Sequence, residues 1–269
     1  MNSRITVCFP GGRHKALTMS YDDGTVADRR LVDIFNRNGI KGTFHINSGL
    51  FDLDNRIDAK EIRTLYAGHE VSAHTLTHPT IARSPQEALV YEVMEDRRNL
   101  ERLVGYPVRG MSYPNGSYNR AIKETLPSLG IEYSRVVPST GHFGMPDDWY
   151  EWMPTCHHKH DLLKKAEEFV GLYKSQYLYL MYVWGHSYEF DHDNNWDVIE
   201  QFCEYAGGRD EIWYATNIEI VDYMKAFRQL KFSAALEFVY NPLASSVWLN
   251  VGGTIVEARG GMQTSLVLD

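Results

Sequence analysis

The stretch Ser20-Tyr21-Asp22-Asp23-Gly24 decides how this chain is read. It follows Ala16-Leu17-Thr18-Met19, an apolar run that reads as a buried strand. Two adjacent carboxylates at the mouth of a strand disfavour each other's ionisation, so the pair calls for a cation or a catalytic task. Gly24 permits a sharp turn just after them. Taken alone, the doublet is explained equally well as a polar strand-to-helix turn with Asp as a helix cap.

A second stretch, His74-Thr75-Leu76-Thr77-His78, tips the balance. Two His four apart fall on one side of a helical turn, so both imidazoles can reach one ion. Glu70-Val71-Ser72-Ala73 reads as another short buried strand, which puts the His pair at a strand's C-terminal end as well. Two His and one carboxylate leave coordination positions open, as a catalytic metal site does and a closed structural site does not.

The rest of the chain supplies a frame for these motifs. Apolar spacing predicts helices over 27–38, 60–66, 161–173, 195–206 and 217–230, the third of these capped by Asp161. Strands are predicted at 42–46, 107–112, 131–137, 177–184 and 212–214. Ser84-Pro85-Gln86-Glu87 reads as a capping box with Pro at the first helical position, opening a helix to Gly105. Residues 119–129 read as a helix interrupted near Pro127, and 138–160 as a long irregular stretch of the kind that carries function. Strands and helices alternate about seven times, which predicts a parallel α/β fold, a distorted (β/α)7-type barrel. Ile5 to Phe9 alternates like an edge strand, and beyond residue 230 the texture changes to short strands and turns. We expect a barrel over 1–230 and a small antiparallel β appendage over 231–269. In such barrels reactive groups gather at the C-terminal ends of strands. The Asp doublet, the His pair, Tyr113-Pro114-Asn115-Gly116 and Trp184-Gly185-His186 all fall at such ends.

Together the two motifs resemble those of the polysaccharide deacetylases of the NodB-homology type, carbohydrate esterase family 4. Ser20 to Gly24 matches the family's TFDDG-like segment, and His74, Thr75 and His78 match its H-[ST]-x-x-H. Lys41-Gly42-Thr43-Phe44 falls where the family has its second strand, and the resemblance covers roughly residues 14–225. It implies that Asp22 is the base and Asp23 the metal ligand; the residues themselves do not distinguish the two. It implies His186 as general acid through the family's late Leu-x-His-type motif, and a His of near-neutral pKa suits a leaving amine. Tyr113-Pro114-Asn115-Gly116 is similar to the third motif, R-x-P-[YWF]-G, which implies that Asn115 donates a backbone N–H to the oxyanion, with Tyr113 and Pro114 beside it. The motif's Arg, which orients the base, is missing: Ser112 stands in its place, and Arg109 lies three residues early, as a surface ion pair or a substitute from another angle. The fourth motif is not cleanly present. Asp147-Asp148-Trp149 and the His157, His158, His160 cluster lie in its region; Trp149 or one of these His shapes the substrate cleft, or the cluster holds a second metal. His45 replaces a usual aromatic. Cys156 reads as a buried, inert thiol, and His14 and His69 as structural.

Composition bounds the function class. The chain has 269 residues, 43% hydrophobic and 23% charged, with a net charge of -8. It is long enough to bury a core without staples, and its three Cys lack CxxC spacing, so we expect a reducing compartment. The acidity argues against nucleic acid as a partner. Neither a signal-peptide core nor an apolar run of about 20 residues is present, so the reading is cytoplasmic, with no membrane partner. The expected activity is removal of N-acetyl groups from a small N-acetylated sugar, an oligosaccharide or a polysaccharide. The expected cofactor is a divalent metal, zinc first, with iron, cobalt, manganese or nickel also suited to the ligand set. Two alternatives are an amidohydrolase opening ureide or cyclic imide rings, and a vestigial carbohydrate-binding protein. A homo-oligomer is compatible with the appendage.

Overall fold

The computed structural model describes residues 4–267. The chain opens with β1 (Ile5–Cys8), β2 (Lys15–Asp22), α1 (Asp28–Arg37), β3 (Gly42–Ile46), α2 (Ile62–Leu65), β4 (Glu70–Ala73) and α3 (Gln86–Val104). It continues with β5 (Gly110–Ser112), α4 (Arg120–Thr125), β6 (Tyr133–Arg135), β7 (Cys156–His157), α5 (Leu162–Val170), β8 (Tyr179–His186) and α6 (Tyr188–His192). Then come α7 (Trp196–Ala206), β9 (Ile212–Tyr214), α8 (Asn217–Gln229) and five short strands, β10 (Lys231–Phe232), β11 (Phe238–Tyr240), β12 (Val247–Val251), β13 (Thr254–Ala258) and β14 (Gln263–Ser265).

Seven strands form a curled parallel sheet in the order β6-β5-β4-β3-β2-β8-β7, with β9 also paired to β2. A bridge from Arg135 to Trp152, just before β7, brings the two ends of that sheet together. The distorted (β/α) barrel expected from the alternation is therefore the architecture observed. Its strands are buried on both faces, yet they alternate. Leu17, Met19 and Tyr21 of β2 face the helices in the main apolar cluster. Their neighbours Thr18, Ser20 and Asp22 are equally buried but polar. Thr43 and His45 of β3, Glu70 and Ser72 of β4, and Ser112 of β5 repeat the pattern. The polar residues satisfy one another: Ser20 with His45 at 2.9 Å, Thr43 with Glu70 at 3.0 Å, Tyr133 with Glu70 at 2.7 Å. Burial without those bonds would cost more than the fold can carry.

Several local expectations are corrected. The stretch 138–160 is not wholly irregular: it contains a 3-10 turn at Trp149–Glu151 and the barrel strand β7. Two residues are too few for a hydrophobic period to show. No capping box opens α3; Pro85 occupies the cap position without a side-chain bond. Asp161 precedes α5 with a left-handed backbone and no cap bond. By contrast, Gly105 ends α3 as expected, at φ 81, where its N–H returns to the Glu101 carbonyl at 2.9 Å. Helix α4 stops at Thr125 and a 3-10 turn continues to Leu129 through Pro127.

The strands beyond residue 230 are antiparallel. They build two small sheets, β10-β11-β14 and β1-β12-β13, the latter taking in the N-terminal strand. Among the described residues, no helix is long and apolar enough to cross a membrane.

Candidate active site

The C-terminal ends of β2, β4, β5, β6 and β8 place the reactive groups. Register sets their heights: Asp22 pairs with His45 on one side and His186 on the other, and Ser112 pairs with Arg135.

Asp23, His74 and His78 converge. Oδ1 of Asp23 lies 3.9 Å from Nε2 of His74 and 3.8 Å from Nε2 of His78. This Oδ1 is buried and, among the described residues, has no hydrogen-bond partner. Arg56 Nη1 is 3.7 Å from it, too far for a hydrogen bond. A carboxylate oxygen without a hydrogen bond, facing two imidazole nitrogens, is what a bound cation would satisfy, so the residues fit a divalent ion. Burial pushes His74 down to about 4, partly offset by Asp22 and Asp23, so its ring is neutral. Its Nδ1 donates to the Ser112 carbonyl at 2.9 Å, which leaves the Nε2 lone pair for a ligand bond.

The His pair does not meet through a helical turn, as its spacing suggested. Residues 74–79 form a loop in which Thr75 and His78 both have left-handed backbones, at φ 64 and 62. Such conformations persist only where the surroundings impose them. Here Asn47 donates to the carbonyls of His74 and Thr75 at 2.5 and 2.9 Å. Asp96 accepts the His74 N–H at 3.0 Å, and Glu92 accepts that of Thr77 at 2.8 Å. The turn at Asp23 is held similarly. Its backbone is at φ 83, its N–H reaches the His45 carbonyl at 2.8 Å, and Arg56 donates to the Asp23 carbonyl.

Asp22 is buried and paired. Burial favours its neutral form, but the Arg135 guanidinium outweighs that and, with His74, His45 and His186, holds the carboxyl well below the usual range. Arg135 donates to Oδ2 and Ser112 donates to Oδ1 at 3.1 Å. Arg135 is itself fully buried and lies 4.3 Å from the Trp184 ring. Sequence reasoning missed it. The one signal was an Arg in the middle of an apolar strand stretch, Tyr133-Ser134-Arg135-Val136. Arg109, the substitute considered, instead bridges Glu132 and Asp222 at 3.0 and 2.6 Å on the outside.

His186 ends β8. Burial works against its charge, but Glu189, Asp22 and Asp23 overcome this and raise its pKa. Glu189 Oε2 accepts the His186 backbone N–H at 3.1 Å and lies 3.3 Å from Nδ1. Helix α6, which carries Glu189, is a single short element that periodicity did not resolve.

The remaining candidates divide. Pro114 and Asn115 form a 3-10 turn after β5, with Asn115 exposed at φ 56 and its side chain 3.3 Å from the Thr80 hydroxyl. Tyr113 is a packing residue: it is buried, stacks on Tyr118 and donates to the Tyr150 carbonyl at 2.8 Å. Trp149 is half-buried and packs edge-on against Trp152, which bridges to Arg135. His45 faces the interior, and burial pushes it down to about 3. His69 accepts the Gly42 N–H at 3.0 Å. Burial pushes the Cys156 thiol up to about 12, which makes it inert.

His157 and His158 lie across Glu189 from His186. Their Nε2 atoms are 3.1 and 3.3 Å from Oε2 of Glu189, while His160 is exposed. A cleft of about 410 Å³ opens beside Asp23, lined by Asn55, Arg56, Tyr188, Asp191 and His192 among others.

The polysaccharide deacetylase family model matches residues 10–134. A chitin deacetylase from Pestalotiopsis sp is 27% identical over 138 residues, 48% of this chain and 44% of its own length. The peptidoglycan-N-acetylglucosamine deacetylase PgdA of Listeria monocytogenes is 24% identical over 123 residues, 45% of this chain and 26% of its own. The chain thus spans less than half of these curated relatives. A Mycobacterium smegmatis structure described as a polysaccharide deacetylase aligns with a TM-score of 0.63 at 14% identity, covering 82% of this chain and 94% of that one. A family 4 carbohydrate esterase from Streptomyces lividans aligns at 0.51 and 14% identity, covering 76% and 93%. Both structural matches speak for the fold. Through residues 10–134, the chain is similar to the polysaccharide deacetylase family.

Proposed function

We propose that this protein is a metal-dependent hydrolase that removes N-acetyl groups from an N-acetylated sugar or oligosaccharide. The observation that carries the reading is Oδ1 of Asp23, buried, without a hydrogen bond among the described residues, and facing Nε2 of His74 and Nε2 of His78. Asp23, His74 and His78 would hold the ion, for which we assign zinc from the ligand types. A divalent cation bound there supplies Lewis acidity, polarising an amide carbonyl and acidifying water.

The chain's own groups do the rest. Asp22, kept ionised by Arg135, is aligned by Ser112 to accept the proton of the attacking water. His186 gives its proton to the departing amine, and its raised pKa keeps that proton in place near neutral pH. Glu189 holds the Nδ1 side of His186, which leaves Nε2 as the donating nitrogen. Asn115, on the turn after β5, directs its backbone N–H at the carbonyl oxygen as charge develops. The cleft beside Asp23 seats the sugar, with hydrogen-bonding groups on its walls and Tyr188 as an aromatic face.

The test is release of acetate by ion-loaded protein from N-acetylglucosamine and its oligomers, run beside a cyclic imide and a ureide. Acetate release that disappears on chelation supports the proposal. Turnover of the cyclic amides alone would replace it with the amidohydrolase reading. Sugar binding without acetate release would replace it with a vestigial site.

A further inference from the structure

We infer that His157, His158 and Glu189 form a second site for a divalent transition ion, weaker than the Asp23 centre and opposed to it in effect. The donor atoms of the three residues lie within 4.8 Å of one another. Oε2 of Glu189 is 3.1 Å from Nε2 of His157 and 3.3 Å from Nε2 of His158. Ligands about 2.0–2.1 Å from a tetrahedral zinc stand roughly 3.3–3.4 Å apart, so the donors are already close to ligating separation.

The orphaned imidazole of His158 points to an ion. The residue is 2% exposed, and among the described residues neither ring nitrogen has a hydrogen-bond partner. Its ring is clamped between Phe190, at 4.2 Å between centroids, and Tyr21, at 5.7 Å. Nδ1 is walled off by Gly185, where a Cβ would come within 2.1 Å of it. Only Nε2 faces outward, and it faces Glu189. A buried nitrogen aimed at a carboxylate without bonding it calls for an ion or a water in that place.

Two features make the site weak. Nδ1 of His157 accepts the Lys159 N–H at 3.2 Å, which favours the proton on Nε2; ligation at Nε2 must displace that proton. Lys159 lies 3.2 Å from the other Glu189 oxygen, though it also pairs with Asp193 at 2.8 Å and can stay there. A further feature makes the site antagonistic. Oε2 of Glu189 is also the partner of His186, so an ion at that oxygen competes with the imidazole proposed as general acid.

The experiment is titration of the full chain with zinc alone, without substrate, followed by calorimetry and elemental analysis. We expect a tight equivalent and a second, weaker one. In His158→Phe, which keeps an aromatic ring in the clamp, and in His157→Gln, the first equivalent stays. The second weakens by more than the roughly 10–100-fold that loss of an outer partner of a metal site costs. With substrate present, the first equivalent activates and the second inhibits, and His158→Phe removes the inhibition. A single equivalent at saturating zinc would overturn the inference, and so would a second equivalent unchanged in both variants. The inhibitory coupling rests on the proposed hydrolase. If ion-loaded protein released no acetate, that reading would fall while the two-step titration still judged the site.

Discussion

Arg135 and Asp22 are 113 residues apart in sequence, and the buried guanidinium of one donates to the buried carboxylate of the other. The pair comes together because β6 lies next to β5, with Arg135 in register with Ser112. Removing one partner leaves an uncompensated buried charge, so Arg135→Met is expected to cost about 3–5 kcal/mol of stability at neutral pH. Urea denaturation of Arg135→Met, Asp22→Asn and the double variant tests this. The double variant should recover a large part of the loss, and strictly additive losses would show that the pair is not coupled. The pH sign follows from the depressed Asp22 pKa. Its contribution is fully present above the ordinary carboxylate range, and it is lost as pH falls below about 4 through the folded value.

Asp22→Asn keeps the shape of the site and removes the proposed base. Turnover should drop by about 10²–10⁴-fold. Ion content should stay at the wild-type level, because the proposed ligands are Asp23, His74 and His78. Loss of the ion in this variant would mean that Asp22, not Asp23, is the ligand.

The proposed ligand triad makes a separate prediction. Asp23→Asn, His74→Ala and His78→Ala should each lose tightly bound ion, and dialysis against a chelator should do the same to the wild type. Because the ion is expected to contribute several kcal/mol, acetate release should fall by about 10²-fold or more. Restoring zinc should recover the chelated wild type but not the variants. Unchanged activity after complete chelation would end the metal-dependent reading.

The alkaline limb of the rate profile should report His186. An acid works only while it holds its proton, so activity is present below its folded pKa and disappears as pH rises through it. That pKa is raised above 6.5, so the limb should lie above that value. Glu189→Gln removes a supporting negative charge and should move the limb to lower pH, while Glu189→Asp should move it less. A limb that stays put in Glu189→Gln would remove Glu189 from the support of His186.

Gly185 tests the packing behind the site. A Cβ there would sit 2.1 Å from Nδ1 of His158, so Gly185→Ala should destabilise the protein by about 1–3 kcal/mol. Adding His158→Ala should relieve that clash, and thermal melts of the single and double variants measure it. A Gly185→Ala protein as stable as the wild type would show that the ring is free to move.

What local sequence determined is what depends on near neighbours. Alternation of apolar runs with helical spacing sufficed for the parallel barrel, because burial of a face imposes its period on the residues that form it. The Asp doublet and the HxxxH pair were legible because both lie at strand ends, where the backbone turns and side chains gather. Tertiary structure decided the rest. The meeting of His74 and His78 depends on left-handed residues braced by Asn47, Asp96 and Glu92, not on helical spacing. The guanidinium beside Asp22 comes from β6 because strand register, not sequence distance, sets which groups share a height. The same holds for β7, whose two residues are a strand only because β8 offers a partner edge. Periodicity is a property of a segment, whereas a charge pair or a sheet edge belongs to two segments at once, and only their packing brings those segments together.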